Sequence, residues 1–220
     1  MLEPIRAVAF DLDGTLMNSL ADLAASTNAV LAAHGLPVHP LPAYNQMVGN
    51  GVRVLIERAL GDRAAPELTD RLLQEFIGIY DRDCLNLSRP YDGMPEAAAA
   101  MKEQGVRLAV ITNKPDPQAN KIVTHFYGDL FDGIYGLSEG RKAKPDPALT
   151  LAALANLGVP TREAVFVGDS NVDIRTAKAA GLRSVGVLWG FRSRRELEEA
   201  GADVLVSHPQ ELAELVRRGL

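Results

Sequence analysis

Ile5-Arg6-Ala7-Val8-Ala9-Phe10-Asp11-Leu12-Asp13-Gly14-Thr15 is the stretch that decides how this chain folds. It is apolar for about the length of one strand, hardly alternates, and stops at two aspartates and a glycine. A near-continuous apolar run is what a parallel strand covered on both faces requires. Two more runs share this profile. Arg107-Leu108-Ala109-Val110-Ile111 ends in Thr112-Asn113-Lys114, and Ala164-Val165-Phe166-Val167 ends in Gly168-Asp169-Ser170 with Asp173 close behind. Weaker candidates follow at 184–188 and 203–206.

Helical stretches lie between these runs. Pro95 to Gln104 has Pro95 and Glu96 in its first turn and Gly105 just past its end, a start-and-stop pattern. Pro147 to Leu157 before Gly158, and Asp173 to Ala180 before Gly181, follow the same rule. Alternation from about residue 90 onward predicts an α/β fold, a Rossmann-like doubly wound parallel sheet. Residues 19–83 break the alternation: apolar positions recur at helical spacing and Pro37, Pro40, Pro42, Gly61 and Pro66 cut the stretch into pieces. A discontinuous core domain (1–16 and 84–220) with a small inserted helical cap domain (17–83) is the expected organisation.

The 220 residues are 47% hydrophobic and 23% charged, globular averages that exclude wholesale disorder, collagen and coiled coil. A net charge of -5 is a poor start for gripping a polyanion, so no nucleic-acid partner is expected. Cys84, the single cysteine, forms no internal disulfide or thiolate metal site, which fits a reducing compartment. No apolar run approaches the ~20 residues that span a bilayer, and the N-terminus lacks a signal peptide's pattern. The expectation is a cytoplasmic protein with no membrane partner.

Open α/β sheets bind ligands at the carboxyl ends of their strands, where all three strong runs end in functional groups. If these strands are adjacent and parallel, three carboxylates and a hydroxyl from their ends would converge on one spot. Carboxylates that close repel one another unless a cation sits among them. A hard divalent ion with oxygen ligands resolves this, with Mg²⁺ the usual choice beside phosphate. Lys144, before Pro145, could neutralise phosphoryl oxygens, completing an electrostatic cage. Gly14 permits a turn that swings Asp13 back over the site, so one carboxylate can attack phosphorus while the other moves the proton.

Phe10-Asp11-Leu12-Asp13-Gly14-Thr15-Leu16, Thr112-Asn113, Lys144-Pro145 and Gly168-Asp169-Ser170-Asn171-Val172-Asp173 resemble the four ordered motifs of the haloacid dehalogenase-like superfamily, and the helical insert resembles its cap. The resemblance implies Asp11 as nucleophile, Asp13 as general acid/base, and Thr112 and Lys144 at the phosphoryl group. It implies Mg²⁺ held by Asp11, the Asp13 backbone carbonyl and Asp169, with Asp173 supporting the metal site or orienting Lys144, and Gly14 and Thr15 in support. The dehalogenases of that superfamily lack an acid at the position of Asp13, so phosphoryl transfer is favoured over carbon–halogen cleavage.

Val48-Gly49-Asn50-Gly51-Val52-Arg53, with Asn113-Lys114-Pro115 and Lys144-Pro145-Asp146-Pro147, is similar to the bacterial phosphoglycolate phosphatases. Gly49, Asn50 and Gly51 would offer backbone N–H groups to substrate, Asn113 would assist, and Arg53 would pair with a small anion such as a carboxylate. The implied activity is hydrolysis of 2-phosphoglycolate, a small phosphorylated metabolite, by a monomer or homodimer. A pyrophosphatase, a sugar-phosphate phosphatase or phosphomutase, and a noncatalytic binding protein are the alternatives. Asn18 departs from the acidic residue many relatives carry and keeps the turn without the charge.

Each signal also has a plain structural account. Gly49-Asn50-Gly51 reads equally as a flexible interhelix loop, and His34, His39, His125 and His208 lack metal-ligand spacing. Cys84 is a small apolar filler, and Arg192, Arg194 and Arg195 form a basic run expected in a solvated loop.

Overall fold

In the computed structural model, which describes residues 4–220, the first apolar run forms strand β1 (Ala7–Phe10). A turn leads into the short strand β2 (Met17–Asn18) and four helices, α1 (Leu20–Ala33), α2 (Tyr44–Met47), α3 (Val52–Leu60) and α4 (Pro66–Asp83). The chain returns through β3 (Arg89–Pro90), antiparallel to β2. Strand and helix then alternate through α5 (Met94–Glu103), β4 (Arg107–Pro115), α6 (Asp116–Tyr127), β5 (Gly133–Leu137) and α7 (Ala148–Leu157). They continue through β6 (Ala164–Gly168), α8 (Asn171–Ala180), β7 (Arg183–Val187), α9 (Arg194–Ala200), β8 (Val204–Val206) and α10 (Pro209–Arg218).

The six longer strands form one parallel sheet in the order β5-β4-β1-β6-β7-β8. The strand period of two divides the side chains between two buried layers. Ala7, Ala9, Ala109, Ile111, Ala164 and Phe166 pack with residues of α7 and α8, such as Leu154 and Ala177. Val8, Phe10, Leu108, Val110, Val165 and Val167 pack on the other face with Met101, Ile122 and Leu212 of α5, α6 and α10. This is the doubly wound Rossmann-like architecture the alternation predicts. Truncating a ring such as Phe10, which is fully buried, costs about 3–5 kcal/mol.

Two elements differ from the sequence expectation. Gly133-Ile134-Tyr135-Gly136-Leu137 pairs with β4 as the edge strand β5, although its two glycines weaken the strand signal. A Cβ at Gly136 would press into the backbone at the start of α6, so the glycine allows that close approach. Strand β4 also continues past its apolar run through Thr112, Asn113 and Lys114 to Pro115, with a register irregularity after Ile111.

Helices α1, α3 and α4 pack on one another between β2 and β3. The expected boundaries at 16/17 and 83/84 fall at the start of β2 and the end of α4. Asp22, buried in the first turn of α1, accepts hydrogen bonds from Leu87 N (3.0 Å), Ser88 N (2.7 Å) and Ser88 Oγ (2.7 Å). One carboxylate thus ties the outgoing helix to the returning strand. No helix among the described residues is long and apolar enough to cross a membrane.

Candidate active site

The sheet register assembles the site. Phe10 lies opposite Val110 and Val167, so the residues after each strand emerge along one edge. Asp11 N donates to Val167 O at 2.9 Å, fixing the turn where β1 ends. Asp11, Asp169 and Asp173, all buried, offer oxygens within 4.8 Å of one another. Glycine makes room for them: a Cβ at Gly14 or Gly190 would collide with the Asp169 carboxylate, and one at Gly168 with Asp173. Gly14 has φ +88°, a left-handed conformation that glycine adopts without strain.

Lys144 Nζ bridges the cluster, 2.8 Å from Asp11 Oδ1 and 2.7 Å from Asp173 Oδ1. Asp173 spends its other oxygen on Ser170 N (3.0 Å) and Ser170 Oγ (2.7 Å) at the start of α8. Asp173 thus both contacts Lys144 and stands in the carboxylate cluster, the two places expected of it. Asp169 accepts from Thr15 Oγ1 at 3.3 Å on one oxygen and from Phe191 N at 2.7 Å on the other. Asp11 Oδ1 also accepts from Leu12 N at 2.7 Å, while Oδ2 takes no hydrogen bond among the described residues.

Burial, with the neighbouring Asp173 charge, pushes Asp11 up to about 7 even though Lys144 opposes it. Burial and the charges of Asp173 and Asp11 likewise hold Asp169 well above the carboxylate range. Burial disfavours the Lys144 ammonium, yet Asp11 and Asp173 keep it charged. When ionised, the carboxylates of this edge (11, 13, 169, 173) outnumber the ammonium groups that touch them (114, 144). A divalent cation among Asp11, Asp169 and Asp173 would relieve the repulsion that raises them, so the residues fit one, and an all-oxygen set suits a hard ion.

Asp13 is turned away from this cluster. Its Oδ1 accepts from Ser19 Oγ at 2.5 Å and meets Lys114 Nζ at 3.0 Å, and its Oδ2 has no partner among the described residues. Lys114 Nζ also lies 2.6 Å from the hydroxyl of Tyr80 on α4. Burial opposes the Lys114 charge, and Asp13 and Tyr80 restore it. Thr112 borders the cavity, and its Oγ1 accepts from Lys114 N at 3.2 Å, leaving the hydroxyl proton free to donate.

A cavity of about 30 Å³ lies between this edge and the helical insert. Asp11, Asp13, Thr112, Asn113 and Lys114 form its floor, and Gly49, Gly51, Leu23, Val52 and Leu55 its roof and walls. The structure brings Gly49 and Gly51 to the site and leaves Asn50 and Arg53 outside its lining. Asn50 Oδ1 accepts from Arg58 at 2.9 Å, and Arg53 is half exposed and paired with Asp70, because α3 lies along α4. Asn113 borders the cavity but spends its amide on structure: Oδ1 accepts from Lys144 N (2.7 Å), and Nδ2 donates to Gly49 O (3.1 Å) and Lys144 O (3.2 Å).

Sequence reasoning gave no role to Ser19, Tyr80, Lys114 or Phe191 N. Arg192 corrects the reading of 192–195 as a solvated run: its side chain is 8% exposed and donates to Val48 O at 2.8 Å, whereas Arg194 and Arg195 pair with Glu198 and Glu199 on the surface. The only signal in the sequence was its place after Trp189-Gly190-Phe191, a tight segment whose indole Nε1 donates to Thr15 O at 3.0 Å.

Comparison with known proteins adds relatives to this geometry. The family model described as haloacid dehalogenase-like hydrolase matches residues 8–187. The chain is 35% identical over 218 residues to the N-acetylmuramic acid 6-phosphate phosphatase of Pseudomonas aeruginosa, covering 98% of this chain and 96% of that one. It is 36% identical over 220 residues to the phosphoglycolate phosphatase of Pectobacterium atrosepticum, covering 98% and 94%. Among solved structures, a proposed phosphoglycolate phosphatase from Lactobacillus delbrueckii subsp. bulgaricus superposes with TM-score 0.93 at 28% identity, covering 98% and 99%. CbbY from Rhodobacter sphaeroides, in complex with phosphate, gives 0.79 at 29% identity, covering 94% and 96%.

Proposed function

The chain belongs to the haloacid dehalogenase-like hydrolases and is a phosphoric monoester hydrolase, and from that premise we propose that it cleaves 2-phosphoglycolate to glycolate and phosphate through an aspartyl-phosphate on Asp11. One observation carries the assignment of roles. Of the eight oxygens on Asp11, Asp13, Asp169 and Asp173, only Asp11 Oδ2 and Asp13 Oδ2 lack a partner among the described residues. The two carboxylates with an uncommitted oxygen both border the cavity.

In the first half-reaction Asp11 Oδ2 attacks phosphorus while the ester P–O bond breaks, and the departing alkoxide takes the proton of the Asp13 carboxyl. Ser19 and Lys114 hold Asp13 in place for that transfer. In the second, the Asp13 carboxylate takes a proton from a water whose oxygen attacks phosphorus, and the bond to Asp11 breaks. Lys144 and the Thr112 hydroxyl face the charge that gathers on the phosphoryl oxygens. A divalent cation, in this reading Mg²⁺, would be held by Asp11, Asp169 and the Asp13 carbonyl and would neutralise phosphoryl charge. With the cap closed, the roof at Gly49 and Gly51 excludes bulk water from the acyl-phosphate.

The relatives named phosphoglycolate phosphatase at about 35% identity support a two-carbon leaving group. An amino-sugar 6-phosphate is the second reading, favoured by the relative of that activity at 35% identity. Phosphate release from 2-phosphoglycolate, N-acetylmuramic acid 6-phosphate and p-nitrophenyl phosphate, with Mg²⁺ and with chelator, decides between them. The expected result is highest kcat/KM on 2-phosphoglycolate, loss of turnover with chelator, and a fall of about 10⁴-fold or more in Asp11→Asn. An Asp11→Asn enzyme with undiminished turnover overturns the covalent route.

A further inference from the structure

The chemistry above leaves one cavity-lining cation without a substrate. Lys114 is the only cationic residue bordering the cavity among the described residues, and its side chain is 1% exposed. An ammonium has three N–H donors. Asp13 Oδ1 at 3.0 Å and the Tyr80 hydroxyl at 2.6 Å take two, and the third has no partner among the described residues. Because Tyr80 accepts from Lys114, its own O–H proton is also free, and no acceptor for it lies among the described residues. Each of these buried groups thus keeps one proton beyond the contacts it already makes, and a ligand oxygen in the cavity could accept both.

We infer that Lys114, backed by Tyr80, is the subsite for a carboxylate on the leaving group, and that the enzyme selects phosphate esters of 2-hydroxy acids. This rests on the reading of Asp13 as the proton donor. The ester oxygen must come within hydrogen-bond distance of Asp13 to receive its proton. In a 2-hydroxy acid ester the carboxylate is attached one carbon further on, so its nearer oxygen lies roughly 3 Å from the ester oxygen. A cation touching Asp13 therefore touches that carboxylate, whereas a charge placed further along a sugar falls beyond it. Leu23, Val52 and Leu55 line the cavity with apolar surface, and no other cationic residue borders it among the described residues. Arg53, half exposed and paired with Asp70, is not placed to serve.

A matched pair of substrates tests this: 2-phosphoglycolate and ethyl phosphate, which differ in carboxylate against methyl. With the full chain and Mg²⁺, the wild-type ratio of kcat/KM is expected to exceed about 10²-fold, as for a site built around a polar group the analogue lacks. Lys114→Met brings the ratio to within about tenfold, Lys114→Arg retains more of it, and Tyr80→Phe lowers it by a smaller factor. Should Lys114→Met not fold, Tyr80→Phe and Lys114→Arg carry the test through the same ratio. If all variants slow both esters equally, Lys114 only orients Asp13 and the inference is overturned. A wild type that cleaves ethyl phosphate as well as 2-phosphoglycolate overturns it too, with the phosphatase reading intact. A wild type that cleaves no monoester removes both.

Discussion

The strand edge and the helical insert face each other across one cavity and are built on different principles. At the edge the groups being held are charged side chains: Lys144 sits between Asp11 and Asp173, Thr15 and Phe191 N donate to Asp169, and Ser170 donates to Asp173. Across the gap, side chains of the sheet domain grip the insert's backbone instead, Arg192 at Val48 O and Asn113 at Gly49 O. Backbone carbonyls are present whatever the side chains are. The roof can therefore change its residues while its seating is kept, whereas almost any change at the edge leaves a buried charge unpaired.

The sharpest way to break that contrast is Gly190→Ala. Its Cβ would collide with Asp169 and with Gly14 O, so one methyl displaces a carboxylate of the cluster. The expected outcome is a cost of about 1–3 kcal/mol and a loss of Mg²⁺-dependent thermal stabilisation along with activity, read by melting with and without the ion. Unchanged cation response would show that Asp169 is free to shift.

The second test uses pH. Without a cation, Asp11 stays protonated up to about 7 and Asp169 is held well above the usual carboxylate range, whereas the unfolded chain releases these protons near 3.8. The folded state then binds more protons than the unfolded one, so these two groups subtract stability progressively as pH rises from about 4 to 7 and leave it subtracted above. A cation favours the ionised forms and cancels the loss. The rise in Tm on adding Mg²⁺ is thus expected to be larger at pH 7.5 than at pH 5, at roughly 2–4 °C per kcal/mol for a chain of this size. Equal rises at both values contradict the shifted carboxyls.

The smallest effects are expected in the insert, where two arginines sharpen the comparison. Arg192→Met removes a buried grip on Val48 O and is expected to raise KM about tenfold with kcat much less affected. Arg53→Ala removes an exposed pair with Asp70, worth little in water, and kcat/KM is expected to stay within about twofold. Steady-state kinetics on 2-phosphoglycolate reads both, and the reverse order would relocate the anion site to α3.

Much of this was legible in the sequence, for identifiable reasons. Strands β1, β4 and β6 announce themselves because burial on both faces demands unbroken apolar runs, and the groups after them are conspicuous because aspartates so rarely follow such runs without purpose. Strand β5 was hidden by Gly133 and Gly136, which serve close contacts and carry no β-propensity. Long-range partners were hidden for another reason. Tyr80 meets Lys114, and Arg192 meets Val48, only once the insert folds over the sheet, and no periodicity encodes a contact between segments that far apart. Arg53 misled because a glycine turn beside an arginine suggests anion binding, while Asp70 of α4, which pairs with it, lies elsewhere in the chain.

The hinge carries one more consequence. Because β2 and β3 pair with each other and Asp22 staples the same junction, the chain leaves and rejoins the sheet domain at a single point. The loop is already closed at its neck, so the sheet domain bears little of the entropy of whatever is threaded above it. That makes the insert an exchangeable cassette: lengthening it, shortening it or swapping it for another helical lobe would retune which molecules enter while the catalytic floor below folds as before.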